Sequence, residues 1–404
     1  MKPHTRIRVP LSVINYALMC TSAFFTVQAS TFDEISQAVA QSTTHLQLRY
    51  RLESVNQPNK VDNALASTLK SRLTWQSNNI GDFSSLVELD NVALVGNDLY
   101  NATNNGKSNY PVVADPKGTD LNQALIKYQH NALTLTAGRQ RINLQDQRFV
   151  GGVAWRQNEQ TFDGLRVQYH ANQQFTIDYS YVYNINRIFG PTDGVQLANW
   201  KGNFHLLNSQ FKFNGNQSIT GFAYLLDNYD ALAAATNTYG VGYQGKFNAV
   251  SAKLRYARQS DAGKNPHQFT SQYYLAQLST QISNVKLVAG YEVLGSDNGV
   301  GFSTPLATLH KFQGFADTFL TTPVNGIKDG YLTAAAKLSA VTVAATYHNF
   351  KSAKNSINYG YEWDIVAKYP INKQTKLLAK FASYKADQLG TDTTKFWLMA
   401  TMSF

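Results

Sequence analysis

The chain has 404 residues, 43% of them hydrophobic and 12% aromatic, with 36 Lys and Arg against 26 Asp and Glu for a formal charge of +10. Past the amino terminus no apolar run approaches the ~20 residues of a membrane helix, and mean hydropathy is −0.31. The single cysteine, Cys20, lies close to the start, so the remainder has no disulfide, thiolate nucleophile or cysteine metal ligand.

Lys2, Arg6 and Arg8 precede an apolar stretch from Val13 to Phe25, and Val27-Gln28-Ala29 puts small residues where a signal peptidase cuts. Residues 1–29 therefore read as a secretory signal peptide. Met19 before Cys20 argues against a lipoprotein anchor. Residues 30–43 have helical spacing and are expected to form a short periplasmic segment; a frayed terminus is the other reading.

From residue 44 the period changes to two, and side chains alternate between the faces of a strand. Leu46, Leu48, Tyr50 and Leu52 alternate with Gln47, Arg49, Arg51 and Glu53. Leu65, Leu69, Leu73 and Trp75 share a face; Phe175, Ile177, Tyr179, Tyr181, Tyr183 and Ile185 form another row, and Tyr359, Tyr361, Trp363, Ile365, Ala367 and Tyr369 a third. Strands are predicted near 44–55, 64–77, 82–95, 121–130, 132–142, 160–171, 174–186, 204–214, 217–227, 237–247, 249–259, 271–282, 285–295, 331–338, 341–350, 357–369, 374–385 and 394–404. The segments near 121–130, 217–227 and 271–282 alternate poorly, so sixteen strands stay open beside eighteen. In the last one, Phe396, Leu398, Ala400, Met402 and Phe404 share a face, the pattern of a closing strand whose terminal Phe404 is expected to engage the barrel-insertion machinery.

Every second connection is short, as at Asn78-Asn79, His130-Asn131, Asn172-Gln173, Asn248-Ala249, Ser283-Asn284 and Ser339-Ala340. The others are longer, notably 96–120, 143–159, 187–203, 260–270 and 296–330. Short and long connections in alternation, with alternating strands, define an all-β transmembrane antiparallel barrel over residues 44–404, with short periplasmic turns and longer extracellular loops. The expected location is the outer membrane of a Gram-negative bacterium, among lipid and lipopolysaccharide.

The densest polar segment runs from Gly138 to Arg166. Arg139, Arg141, Arg148, Arg156 and Arg166, with Asp146 and Glu159 among them, would each cost ~2–4 kcal/mol against lipid for the cations. They are the candidate pore-lining and constriction residues. Either the guanidinium groups meet passing carboxylates, or they pair with the acids and brace an inward-folded loop. Loop 143–159 is expected to fold inward, with Gly151-Gly152 permitting a tight reversal. Further cations (Lys70, Arg72, Lys253, Arg255, Lys286, Lys337, Lys368) share polar faces with Glu88, Asp90, Asp178, Glu292, Glu362 and Asp364, while Lys351, Lys354 and Lys385 read as rim residues.

Scattered histidines, none in a Gly-x-Ser-x-Gly or His-Glu-x-x-His setting, make a barrel hydrolase or acyltransferase the minor reading. No cofactor or metal site is expected, and the cations are not gathered on one arm as nucleic-acid binding would require. Without an energy-coupling motif, flux should be passive.

Gly138-Arg139-Gln140-Arg141, Asp146-Gln147-Arg148-Phe149-Val150-Gly151 and Trp155-Arg156-Gln157-Asn158-Glu159-Gln160-Thr161-Phe162-Asp163 resemble the alginate-export-like family of outer-membrane porins. Leu48–Glu53 is similar to that family's first strand and Leu306–Asp317 to its long late loop. The resemblance implies an eighteen-stranded monomeric pore with a basic lumen that passes a polyanionic sugar. The chain is shorter than a dedicated alginate exporter. The expectation is therefore a porin for small anionic solutes or saccharides, with a general non-selective porin as the alternative.

Overall fold

The computed structural model of the protein describes residues 29–404; the expected signal peptide lies outside the described residues but for Ala29. A helix, α1 (Ala29–Ala40), precedes the barrel. It is tied to the first short turn, where Asn78 N–H donates to Ala38 O at 3.1 Å and Asn78 Nδ2 to Gln41 Oε1 at 2.7 Å. Helical spacing of Ile35 and Ala38, rather than fraying, describes this segment.

Eighteen antiparallel strands follow: β1 (Thr43–Asn56), β2 (Ala64–Gln76), β3 (Phe83–Leu94), β4 (Gly118–His130), β5 (Leu133–Gln140), β6 (Thr161–His170), β7 (Phe175–Asn186), β8 (Asn199–Asn214) and β9 (Gln217–Asn228). The second half comprises β10 (Thr236–Phe247), β11 (Val250–Asp261), β12 (Thr270–Ile282), β13 (Val285–Leu294), β14 (Ile327–Leu338), β15 (Val341–Lys351), β16 (Asn358–Pro370), β17 (Thr375–Ala386) and β18 (Thr393–Ser403). Each pairs with its neighbours in sequence, and β1 closes the ring on β18 with Leu48 opposite Met402 and Leu52 opposite Leu398. Closure leaves no free edge, the condition for a sheet in lipid. The three weakly alternating segments are all strands, so the count is eighteen.

Eight connections are short turns at the periplasmic end. Asn131, Asn248, Ser283 and Ser339 take positive φ there, which tightens these two-residue links. The other nine are loops at the opposite end. A two-residue ribbon, Ser296–Asp297 with Val300–Gly301, decorates the longest.

The lipid face is the apolar row of each strand. Trp363 is 48% exposed, and Leu65, Leu73, Ile365, Phe396, Leu398 and Met402 also point outward. Two predicted rows break at bulges. Opposite β15, the register slips between Phe350 and Lys351, and Tyr359 turns inward to 2% exposure, its hydroxyl donating to Gly326 O at 3.0 Å. Gly360 beside it holds φ +128°, where a Cβ would lie 2.0 Å from Lys385 O. The second break is in β7, where register slips between Val182 and Asn184 and Ile185 becomes fully buried. An extra residue in one strand reverses the face of everything beyond it, a feature invisible to simple alternation.

Candidate functional site

The main hydrophobic core lies within the barrel. Ile142, Leu144, Phe149 and Val150 from loop 141–160 pack on Phe222, Tyr224 and Tyr273 of the wall and Phe302 of loop 295–326. Ring centroids of Phe149 and Phe222 lie 5.0 Å apart and those of Phe149 and Tyr273 5.3 Å, distances typical of tilted aromatic pairs. A second cluster sets Tyr100, Ala102 and Val113 of loop 95–117 against Val55, Ala64 and Ala66. Three loops thus fold inward and pack on one another, loop 141–160 among them.

The glycines of that loop work differently from expectation. Neither Gly151 nor Gly152 has positive φ; Gln145, Gln147 and Val153 do. Gly151 permits close approach instead: a Cβ there would sit 2.5 Å from Thr308 Oγ1 and 2.6 Å from Gln147 Cβ. Its N–H donates to Leu306 O at 2.9 Å, joining two inward loops.

Each candidate arginine meets a carboxylate. Arg139 grips Asp163 through two bonds of 2.8 and 3.1 Å. Arg141 bonds Glu88 and, at 2.5 Å, Glu159. Arg148 donates to Glu292 at 2.7 Å, Thr304 at 3.1 Å and Gln313 at 3.1 Å, and is 1% exposed. Arg156 joins Glu53 at 3.1 Å to Asp317 at 3.0 Å and is 5% exposed. Arg166 holds Asp178 at 2.5 and 2.9 Å. Asp146 is shared by Lys253 and Arg255, and Glu159 also accepts from Arg72 at 3.0 Å. Burial alone would raise the Glu159 carboxyl, but Lys70, Arg72 and Arg141 hold it well below the usual carboxylate range. Arg255 and Lys253 likewise overcome burial at Asp146. Of the sequence's two readings of these arginines, pairing with acids is the observed geometry.

A third layer locks loop 295–326 to the wall. His310 Nε2 accepts from Lys380 Nζ at 2.7 Å, and its Nδ1–H donates to Asp317 at 2.6 Å. Trp155 stacks on His310 with centroids 4.6 Å apart, and Lys380 Nζ lies 3.1 Å from the Phe315 ring centre. Burial, reinforced by Lys380 against the pull of Asp317, pushes His310 well below its ordinary range. Next to this, Phe315 N–H and Ala316 N–H donate to Asp364 at 3.0 Å and Glu362 at 2.6 Å. His348 is buried between Asp329 at 3.0 Å and Asp364 at 3.7 Å.

Above the packed loops lies a cavity of about 560 Å³. Arg187 lines it, stacked 3.8 Å over Trp200 and 4.5 Å over Phe189, with bonds to Gln196 and Leu197 O. Burial lowers its pKa to about 10.

Below the loops the charge pattern changes. Lys127, Lys212, Lys286, Lys337, Lys368 and Lys376 share the inward faces of β4, β8, β13, β14, β16 and β17, near the periplasmic mouth. Each is flanked along its strand by outward apolar residues, such as Ile126, Phe211, Leu287, Leu338, Tyr369 and Leu377. Among the described residues none of the six has a carboxylate within 4.0 Å. Sequence reasoning placed Lys286, Lys337 and Lys368 on polar faces and missed the rest. Counting parity back from buried Lys380 would have found Lys376. Lys351, Lys354 and Lys385 lie at the extracellular rim, where Lys385 pairs with Asp392 at 2.7 Å.

A closed eighteen-strand barrel with periplasmic turns, an apolar outer face and inward-folded extracellular loops has the architecture of an outer-membrane porin, and it places the chain in the outer membrane of a Gram-negative bacterium. The resemblance read from the sequence holds over residues 41–183, which match the family described as alginate export. This stretch includes the arginine-rich motifs but ends before Leu306–Asp317. Among solved structures, the chain resembles OccAB4 of Acinetobacter baumannii (TM-score 0.70, 12% identity, covering 90% of this chain and 98% of that one). It also resembles OccK9 (OpdG) of Pseudomonas aeruginosa (TM-score 0.71, 14% identity, 91% and 99%). OpdK of the same organism, solved with vanillate, matches with TM-score 0.69 at 13% identity over 91% and 99%. No curated protein matches by sequence.

Proposed function

We propose that the protein is a passive porin whose lumen favours anionic solutes and saccharides. The observation that supports the preference is the set of six lumen-facing lysines without acidic partners near the periplasmic mouth. Unpaired cations around a narrow passage raise local anion concentration and repel cations. The paired arginines contribute shape more than net charge, since each is offset by a carboxylate a few ångströms away. Arg187, stacked on Trp200 above the loops, supplies a further cation without an acidic partner on the extracellular approach. OpdK, solved with vanillate, shares the fold, and vanillate is a carboxylate.

The neutralised arginine layer favours a second reading, a general non-selective porin. Reversal potentials across a KCl gradient in planar bilayers separate the two. The anion-favouring pore passes chloride more readily than potassium at low salt. Replacing Lys337, Lys368 and Lys376 together by Gln moves the reversal potential toward zero there, with little change at 1 M, where screening length falls to about 3 Å. Equal permeabilities in the unmodified protein would establish the non-selective reading.

A further inference from the structure

We propose that the lumen contains a docking chamber for neutral hydroxyl-rich solutes, of the sugar or polyol class, beneath loop 141–160 on the β6–β10 wall. The proposal rests on the porin reading but not on the anion preference. A cavity of about 230 Å³ lies there, and five of its lining side chains are carboxamides: Gln145, Gln168, Asn208, Gln210 and Gln244. Thr176, Thr220 and His170 add further polar groups. Its one carboxylate, Asp178, is held by Arg166 at 2.5 and 2.9 Å, so it presents no free charge.

The chemistry of these groups selects the ligand. A carboxamide and a hydroxyl each both donate and accept, as does a sugar hydroxyl. An inorganic anion wants donors alone and a cation acceptors alone; a lining that alternates both suits neither. The lumen is divided accordingly: the β1–β4 wall carries Arg51, Lys70, Arg72, Glu88 and Asp90 in ion pairs, while this wall carries amides.

Capacity remains for a ligand. Gln145 Nε2 donates to Asn208 Oδ1 at 3.0 Å, which fixes the roof to the wall, and Gln168 donates to Asp178 at 3.2 Å. The side chains of Gln210, Gln244, Thr176 and Thr220 make no hydrogen bond to other described residues, and converge from β8, β10, β7 and β9. Without an aromatic platform in the chamber, docking is by hydrogen bonds only, which suits transit over retention. The neighbouring cavity of about 440 Å³ shares Gln244 and opens toward Lys212 and the mouth, so the chamber lies on the route out.

The test is current blockade of single channels by glucose added from the periplasmic side, with glucuronate as the comparison. Glucose should produce saturable interruptions, and Gln210→Leu with Gln244→Leu should raise its half-blocking concentration about tenfold. Conductance and reversal potential in KCl should stay unchanged, since neither residue is charged. Thr220→Val, a near-isosteric change, should weaken the block in the same direction. Failure to conduct at all would sink the porin reading itself. A conducting channel that glucose does not interrupt, or one that glucuronate blocks and glucose does not, overturns the chamber. So does a glucose block that survives the double substitution.

Discussion

Arg148 lies 1% exposed inside a barrel whose outer face is lipid, and each of its three guanidinium nitrogens donates once, to Glu292, Thr304 and Gln313. Phe312 and Tyr273 rings flank it at 4.7 and 5.8 Å. Such a buried pair contributes little net energy over an apolar substitute, because desolvation offsets attraction, yet breaking one side strands the other. Arg148→Met is therefore expected to cost about 3–5 kcal/mol of loop docking by leaving the Glu292 carboxylate buried without a counter-charge, bonded only by Tyr273 and Gln313, while adding Glu292→Leu should recover part of that loss. Protease nicking of loops 141–160 and 295–326, with the barrel's heat-resistant mobility on gels as the control, reads the effect. Protection of the single variant equal to that of the unmodified protein would show that the pair carries no docking energy. The sequence revealed that Arg148 had to avoid lipid. It could not reveal the partner, since Glu292 lies 144 residues away and only closure of the ring brings the two together.

At the scale of elements, period-two alternation and the short-long rhythm of connections located the strands, with sixteen left open beside eighteen by three weakly alternating segments, because each strand shows one face to lipid and one to a polar or packed interior. Its errors fall at bulges, where Tyr359 and Ile185 change face, and in the loops, whose inward packing depends on partners from three separate connections. The His310 contact makes that packing pH-dependent. Its geometry requires a neutral imidazole, Nε2 accepting from Lys380 and Nδ1–H donating to Asp317, with Arg156 and Lys395 also bonded to Asp317. A released loop would protonate near pH 6.5, whereas the docked one resists. Docking is thus unaffected above that pH and weakens as pH falls through it. Burial would raise Asp317, but His310 and Lys395 hold it well below the usual range. With Glu159 and Asp146 it adds a second loss as pH falls through about 4. Protease nicking of loop 295–326 should therefore increase between pH 7 and pH 5, and His310→Gln should remove that part of the dependence while leaving the part below pH 4.5. A profile unchanged by His310→Gln would mean that another group controls docking.

Over the whole molecule, charge is sorted by depth: paired ions where the loops meet the wall, amides beneath them on the β6–β10 side, and unpaired lysines toward the periplasmic mouth. The barrel was legible in the chain because turn length and strand parity repeat along it. The sorting was not, because it depends on which residues face each other across the lumen. This division assigns width and selectivity to different layers, and the two can be separated experimentally. Replacing residues 144–158 by a short Gly-Ser link removes the packed loop, with Arg148 and Arg156, and leaves Lys127, Lys212, Lys286, Lys337, Lys368 and Lys376 in place. Conductance should rise several-fold as the passage widens. Chloride should remain favoured over potassium at low ionic strength, though less strongly, because the field of fixed charges weakens across a broader aqueous channel. The link frees Glu53 and Glu292 from their arginines, but it also frees Lys253 and Arg255 from Asp146, so the released charges offset and the lysine layer would account for a persisting anion preference. Its complete loss would return the filter to the arginine layer, and unchanged conductance would mean that the narrowest part of the channel lies elsewhere.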